Sequence, residues 1–172
     1  MVDLLLAAGI AATVALLACS AFFSSSETAI FSLPAGTDTS ADATAAADGR
    51  ARTLAALRED PHRLLVTLLV GNNVVNVAIS SIVTVLVARS LDPGAAVVAA
   101  TLLTSVLVLV FGEIVPKAYG LGNAAAWSLR VAPVISVVER VLSPVISLFD
   151  WGTSAITRWI EGEPDIERPY VE

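Results

Sequence analysis

Leu4 to Phe23 reads LLLAAGIAATVALLACSAFF, twenty residues without a charge. At about 1.5 Å per residue, a helix of this length covers the roughly 30 Å hydrocarbon core of a bilayer. Asp3 precedes the run, no basic segment stands before it, and it leads into a polar cluster instead of a cleavage site. These features favour a retained membrane helix over a secretory signal. Apolar character resumes after Glu27 with Ala29, Ile30 and Phe31, so the helix is expected to continue past the cluster.

Two further uncharged runs follow, Leu64 to Ala88 and Gly94 to Gly112, the second closed by Glu113. Only Arg89 to Pro93 separates them. Asp92-Pro93 is expected to end one helix and start the next. Val131 to Phe149 is apolar but broken by Pro133, Pro144 and Glu139-Arg140, and Trp127, Trp151 and Trp159 flank it. Interfacial helices are expected there, because aromatic rings favour the headgroup level. The fold class expected is therefore an all-α membrane protein with three transmembrane helices plus juxtamembrane interfacial helices. A fourth, proline-kinked span is the alternative.

The composition agrees. The 172 residues are 56% hydrophobic and only 15% charged, against about 25% charged in soluble domains. Ten Lys and Arg against sixteen Asp and Glu leave no basic stripe for nucleic acid. One cysteine, Cys19, excludes an intrachain disulfide, and one histidine, His62, cannot by itself build a His-ligated zinc site. No nucleophile–base motif or phosphate-cradling glycine loop is visible, so an enzyme is not expected. Arg50, Arg52, Arg58 and Arg63 lie between the first and second runs, and Arg89 alone lies between the second and third. The positive-inside rule then places the long loop and the C-terminus in the cytoplasm and the N-terminus outside. Pro34 to Gly49 reads as flexible, and a short helix is expected around Thr53 to Leu57.

Three polar clusters interrupt the apolar runs. In the first, Ser20 and Ser24 are four residues apart and share a helix face, and Ser24, Ser25, Ser26 and Glu27 follow in one turn. Small hydroxyl residues also serve close helix packing. The second is Gly71-Asn72-Asn73-Val74-Val75-Asn76. Three amides at membrane depth are costly unless each finds a partner. Hydrogen bonding between helices is one use for them, and a binding site is another. The third is Phe111-Gly112-Glu113-Ile114-Val115-Pro116-Lys117. Pro116 lacks an N–H and is expected to free the Gly112 carbonyl beside the Glu113 carboxylate. Lys117, four residues on, offers an ion pair or can snorkel outward. Hydroxyl, amide, carbonyl and carboxylate oxygens suit Mg²⁺, Ca²⁺ or Na⁺ better than zinc or copper.

Phe23-Ser24-x-Ser26-Glu27-Thr28-Ala29, Leu69-Val70-Gly71-Asn72-Asn73-Val74-Val75-Asn76 and Gly112-Glu113-Ile114-Val115-Pro116-Lys117 together resemble the three signatures of the CNNM/CorC transmembrane (DUF21) domain. Order, spacing and position within the spans all agree. The resemblance implies a homodimer in the lipid bilayer, with three transmembrane helices and a belt of juxtamembrane helices per protomer. It implies Mg²⁺ transport, generally out of the cytoplasm, with Na⁺ as the coupling ion. Carried onto this sequence, the Mg²⁺ oxygens come from Ser20, Ser24, the Gly71-Asn72-Asn73-Asn76 segment and Glu113, with flexibility or a carbonyl from Gly112. The resemblance assigns residues 1–160 to the transmembrane domain. It reads 161–172 as an acidic linker toward a cytosolic pair of CBS modules that bind ATP–Mg²⁺. A cation-sensing membrane anchor that regulates a cytosolic partner without carrying flux is the alternative function. A dimerising scaffold, with its polar groups spent on helix contacts, is a third.

Overall fold

The computed structural model describes residues 2–34 and 45–161, and their regular structure is helical throughout. Helix α1 is Val2–Phe31, α2 is Ala45–Glu59, α3 is Pro61–Val87 and α4 is Pro93–Leu107. A π-helical segment, Val108–Ile114, leads directly into α5, Val115–Gly122, and α6 is Ala124–Glu161. Of the linker expected at 161–172, Glu161 ends α6 and the rest lies outside the described residues; of the flexible stretch expected at Pro34 to Gly49, 35–44 lie outside them and 45–49 are helical, in α2. The short helix expected at Thr53 to Leu57 is longer in the structure, as α2.

Local chemistry sets the helix starts. Asp60 accepts a hydrogen bond from the Arg63 amide at 2.9 Å, and Asp92 accepts one from the Ala95 amide at 3.2 Å. In each case a proline follows at the first helical position, where no N–H is needed. The C-terminal end of α1 is closed from α2. Arg58 donates to the carbonyls of Leu33 and Pro34, both at 3.0 Å, satisfying acceptors that a helix end leaves open.

α1 passes unbroken through its serine cluster and packs against α3, α5, the π segment and α6. One apolar core joins Phe23 and Ile30 of α1, Leu54 of α2, Leu64 and Leu68 of α3, and Ile135 of α6. A smaller one holds Ile79 and Val83 of α3 against Ala100 of α4. Much of the remaining apolar surface points outward: Leu4, Val77 and Leu102 are 72%, 66% and 64% exposed. A water-soluble monomer rarely shows so much contiguous apolar surface, whereas lipid accepts it.

The expectation of three spans is corrected at α6. Four helical stretches among the described residues, not three, are long and apolar enough to cross a membrane: Leu4–Phe31, Pro61–Val87, Pro93–Gly122 and Ala124–Phe149. α6 is a single helix because neither proline meets the core. Pro133 and Pro144 both lie on its exposed face, so neither ring intrudes on the packing. Ser128, Val131, Ala132 and Ile135 line the opposite face and are buried. The charge that interrupts the apolar pattern is also partnered. Glu139 accepts from Arg63 Nε, and Arg63 Nη2 donates to Ser143 at 2.9 Å. This contact ties the start of α3 to the middle of α6.

Close backbone approach holds α1 against α5. A Cβ built on Gly120 would stand 2.3 Å from the Ser25 carbonyl oxygen, whereas one on Gly122 meets nothing within 4 Å. Gly120→Val should therefore destabilise the bundle by about 2 kcal/mol or more, and Gly122→Val should leave the contact intact. Thermal unfolding of the two variants in detergent separates them. For the α3–α6 contact, a double-mutant cycle on Arg63→Ala and Glu139→Ala should give a coupling of about 1 kcal/mol. Additivity of the two losses would show that the pair does not couple the helices.

Candidate functional site

The three polar clusters meet between α1, α3 and the π segment. Ser20 is fully buried. Its hydroxyl lies 3.1 Å from Asn72 Oδ1 and 2.8 Å from Asn76 Oδ1. A hydroxyl carries one proton and can donate to only one of these oxygens at a time. The other end of the Asn72 amide donates to Glu113 Oε1 at 2.6 Å. Asn72 thus bridges α1 and the π segment, and its bond to Glu113 fixes which end of the amide faces Ser20. Three oxygens, from Ser20, Asn72 and Asn76, converge with a single proton among them. That surplus of lone pairs is what a hard cation requires.

The remaining carboxylate oxygen, Glu113 Oε2, lies 3.4 Å from Lys117 Nζ, one helical turn on. Lys117 is also 3.4 Å from Glu27 Oε2 on α1. The ammonium therefore sits between two carboxylates from different helices. It offsets the charge of Glu113 without closing off Oε1.

Local backbone form explains how Gly112 and Glu113 reach this position. In the π segment the Val115 amide bonds to the Val110 carbonyl, five residues back. The wider turn re-aims the side chains that follow, as π segments at functional sites often do. Gly112 is buried, and a Cβ there would stand 2.6 Å from Ser20 Oγ. Only a residue without a side chain lets the π segment approach Ser20 this closely.

Other sequence-predicted residues are placed differently. Asn73 is exposed, and its amide donates to the Leu69 carbonyl of its own helix at 2.9 Å. Gly71 serves packing, since a Cβ there would meet the Phe23 ring at 2.7 Å. Ser24 is fully buried and its hydroxyl has no hydrogen-bond partner among the described residues. Ser25 and Ser26 both donate to the Phe22 carbonyl, at 3.1 and 2.6 Å. Ser25 also accepts from Trp127 Nε1 at 3.0 Å, which docks α6 on α1. No group of three or more His, Cys, Asp or Glu able to hold a metal occurs among the described residues. The donor set is one carboxylate with neutral oxygens.

A cavity of about 300 Å³ adjoins this cluster. Glu113 and Asn76 line it, together with Ser80 of α3 and Thr101, Thr104 and Ser105 of α4. The α4 hydroxyls are site candidates that the packing of α4 against α3 and the π segment brings out. Their spacing, with Thr101, Thr104 and Ser105 at i, i+3 and i+4, places them on one helix face and was the available signal.

The sequence matches, over residues 11–172, the family described as the Cyclin M transmembrane N-terminal domain, CNNM. A putative DUF21 domain-containing protein, chloroplastic, of Arabidopsis thaliana is 34% identical over 157 residues, covering 91% of this chain and 23% of the relative. A UPF0053 protein of Haemophilus influenzae is 29% identical over 115 residues, covering 67% of this chain and 27% of the relative. The UPF0053 inner membrane protein YfjD of Escherichia coli is 33% identical over 110 residues, 64% of this chain and 24% of its own. The chain spans about a quarter of the length of these curated relatives. With residues of the three polar segments meeting around one partly buried cluster and the match covering nearly its whole length, this multi-pass membrane chain belongs to the CNNM (DUF21) transmembrane-domain family.

Proposed function

We propose that the domain carries Mg²⁺ across the membrane, outward from the cytoplasm, with Na⁺ as the coupling ion. The observation that carries this reading is the bridge from Ser20 through Asn72 to Glu113, a chain of hard oxygens inside apolar helices. A carboxylate at membrane depth is a functional group by default. Around it, Ser20, Asn72 and Asn76 supply neutral oxygens, and the Ser24 hydroxyl one turn along α1, without a hydrogen-bond partner among the described residues, is a further oxygen ligand. Mg²⁺ gives up water reluctantly. The Glu113 charge offsets part of that cost, and the neutral oxygens replace part of the lost shell.

In this reading the α2 side, with its arginines, faces the cytoplasm and the N-terminus lies outside. The working unit is a homodimer, and cytosolic CBS-type modules belong to the longer protein. Lys117 shares Glu113 with the cargo and can retreat to Glu27 when a metal ion arrives. A cation-sensing anchor is the second reading. The observation favouring it is the same pair of carboxylates on Lys117, which gives a helix two alternative partners.

Flux through the full-length protein in proteoliposomes decides between the readings. Glu113→Gln keeps the side-chain shape and should reduce Mg²⁺ flux to background while the fold stays intact. Asn73→Ala should leave flux within about twofold, as for a surface change. Unaltered flux in Glu113→Gln would overturn the assignment. Mg²⁺ binding without any flux in the unmodified protein would leave the sensor.

A further inference from the structure

We propose that the cavity between α3, α4 and the π segment is a second station for the cation, holding it with its water shell on the far side of Glu113 from Lys117. This rests on the transport reading of the Ser20–Glu113 cluster but assigns a distinct place. The site just described gathers oxygens too closely for a hydrated ion. The adjoining cavity is different in scale and in donors.

Its volume of about 300 Å³ accommodates on the order of ten waters at about 30 Å³ each. That is room for a hexahydrated divalent ion, and too wide for a small set of side-chain oxygens to strip one. The lining fits such an occupant. Ser80, Thr101, Thr104 and Ser105 present hydroxyls, Asn76 an amide and Glu113 a single charge, beside the apolar side chains of Val108 and Leu109. Hydroxyls both accept from and donate to water, so they bind a hydration shell as readily as a bare ion.

Thr104 supplies the second observation. The residue is only 8% exposed, it lines the cavity, and its hydroxyl has no hydrogen-bond partner among the described residues. A threonine in a helix usually returns its hydroxyl to the carbonyl one turn back, as Thr67 and Thr84 do here at 2.8 and 2.7 Å. A buried hydroxyl without a partner is destabilising, because it has given up its water and gained nothing in return. A water-borne ligand in the cavity satisfies it.

The cavity also has a direction. From Asn76 to Ser80 it climbs one turn of α3, and from Ser105 to Thr101 it follows α4 back toward Pro93. Both lead toward the turn that joins α3 to α4. Lys117 and Glu27 lie on the opposite side of Glu113. Asn76 and Glu113 belong to both stations, so an ion can pass between them without leaving oxygen contact.

Thiol labelling of the full-length protein in proteoliposomes tests this. Cys19 is free and exposed, so it is first replaced in a Cys19→Ala background. Thr101→Cys and Ser105→Cys then probe the cavity. Leu102→Cys and Val106→Cys, on the same helix at 64% and 57% exposed but outside the cavity, serve as controls. A charged, membrane-impermeant methanethiosulfonate should modify the cavity cysteines at least ~10-fold faster than the controls, because thiolates form and react where water reaches them. Reagent added on the face of the α3–α4 turn should be the effective one. Mg²⁺ should slow the cavity reaction, and Na⁺ at matched ionic strength should not. Adding Thr104→Val should weaken the Mg²⁺ protection about fivefold, the worth of one hydrogen bond.

Equal rates at all four positions would overturn the aqueous cavity. Fast labelling without Mg²⁺ protection would overturn the cation station. Equal protection by Na⁺ would overturn the hydrated divalent ligand. Labelling needs no turnover, so protection in a protein without flux would sustain this station while rejecting transport. Flux without protection would do the reverse.

Discussion

Everything in the bundle has to accommodate one carboxylate. Glu113 sits among helices that otherwise present Leu, Val, Ala and Ile to one another and to lipid. Leaving such a charge unpaired would cost several kcal/mol. Each of its oxygens is instead assigned, Oε1 to the Asn72 amide and Oε2 to the Lys117 ammonium. Asn72 reaches on to Ser20, and Lys117 reaches on to Glu27. Accommodating Glu113 therefore draws α1, α3 and α5 together. The polar groups are not decoration on a finished bundle but part of what aligns its helices.

That alignment depends on small residues where backbones cross. Gly112 lets the π segment approach Ser20, Gly71 receives the Phe23 ring, and Gly120 rests on the Ser25 carbonyl. In lipid there is little hydrophobic force between helices, so close packing and interhelical hydrogen bonds have to hold them. The serine cluster divides along the same line. Ser20 faces the site, while Ser25 bonds its own helix and receives Trp127. Serines five residues apart on one helix thus take different partners, Ser20 the α3 amides and Ser25 the α6 indole.

This division marks how far the sequence could be read. The first three spans were legible because lipid imposes a length and forbids charge, and both are local properties. The convergence of Ser20, Asn72, Asn76 and Glu113 was legible because buried polar residues at helical spacing need partners. Which amide turns inward was not, since Asn72 and Asn73 differ only by the 100° between successive residues, and the neighbouring helix decides. The continuity of the fourth apolar helix was not legible for a similar reason. Pro133, Pro144 and Glu139 look disruptive in sequence, but the prolines fall on an exposed face and the glutamate finds Arg63, 76 residues away. The α4 hydroxyls were overlooked because serine and threonine are common at helix contacts and carry little signal singly.

The charge balance around Glu113 bears on how an ion could leave as well as enter. Two carboxylates and one ammonium leave a single net negative charge at the cluster. A monovalent ion would neutralise it, while Mg²⁺ would reverse it to a net positive charge in a medium that screens poorly. If the domain carries Mg²⁺, the ion would be attracted by this charge as it approaches and opposed by Lys117 once inside. Conduction requires this compromise between binding and release. A site with three or four carboxylates would hold Mg²⁺ as a permanent structural ion. On the transport reading, one shared carboxylate, flanked by a tethered ammonium on one side and neutral hydroxyls on the other, would suit a place an ion passes through.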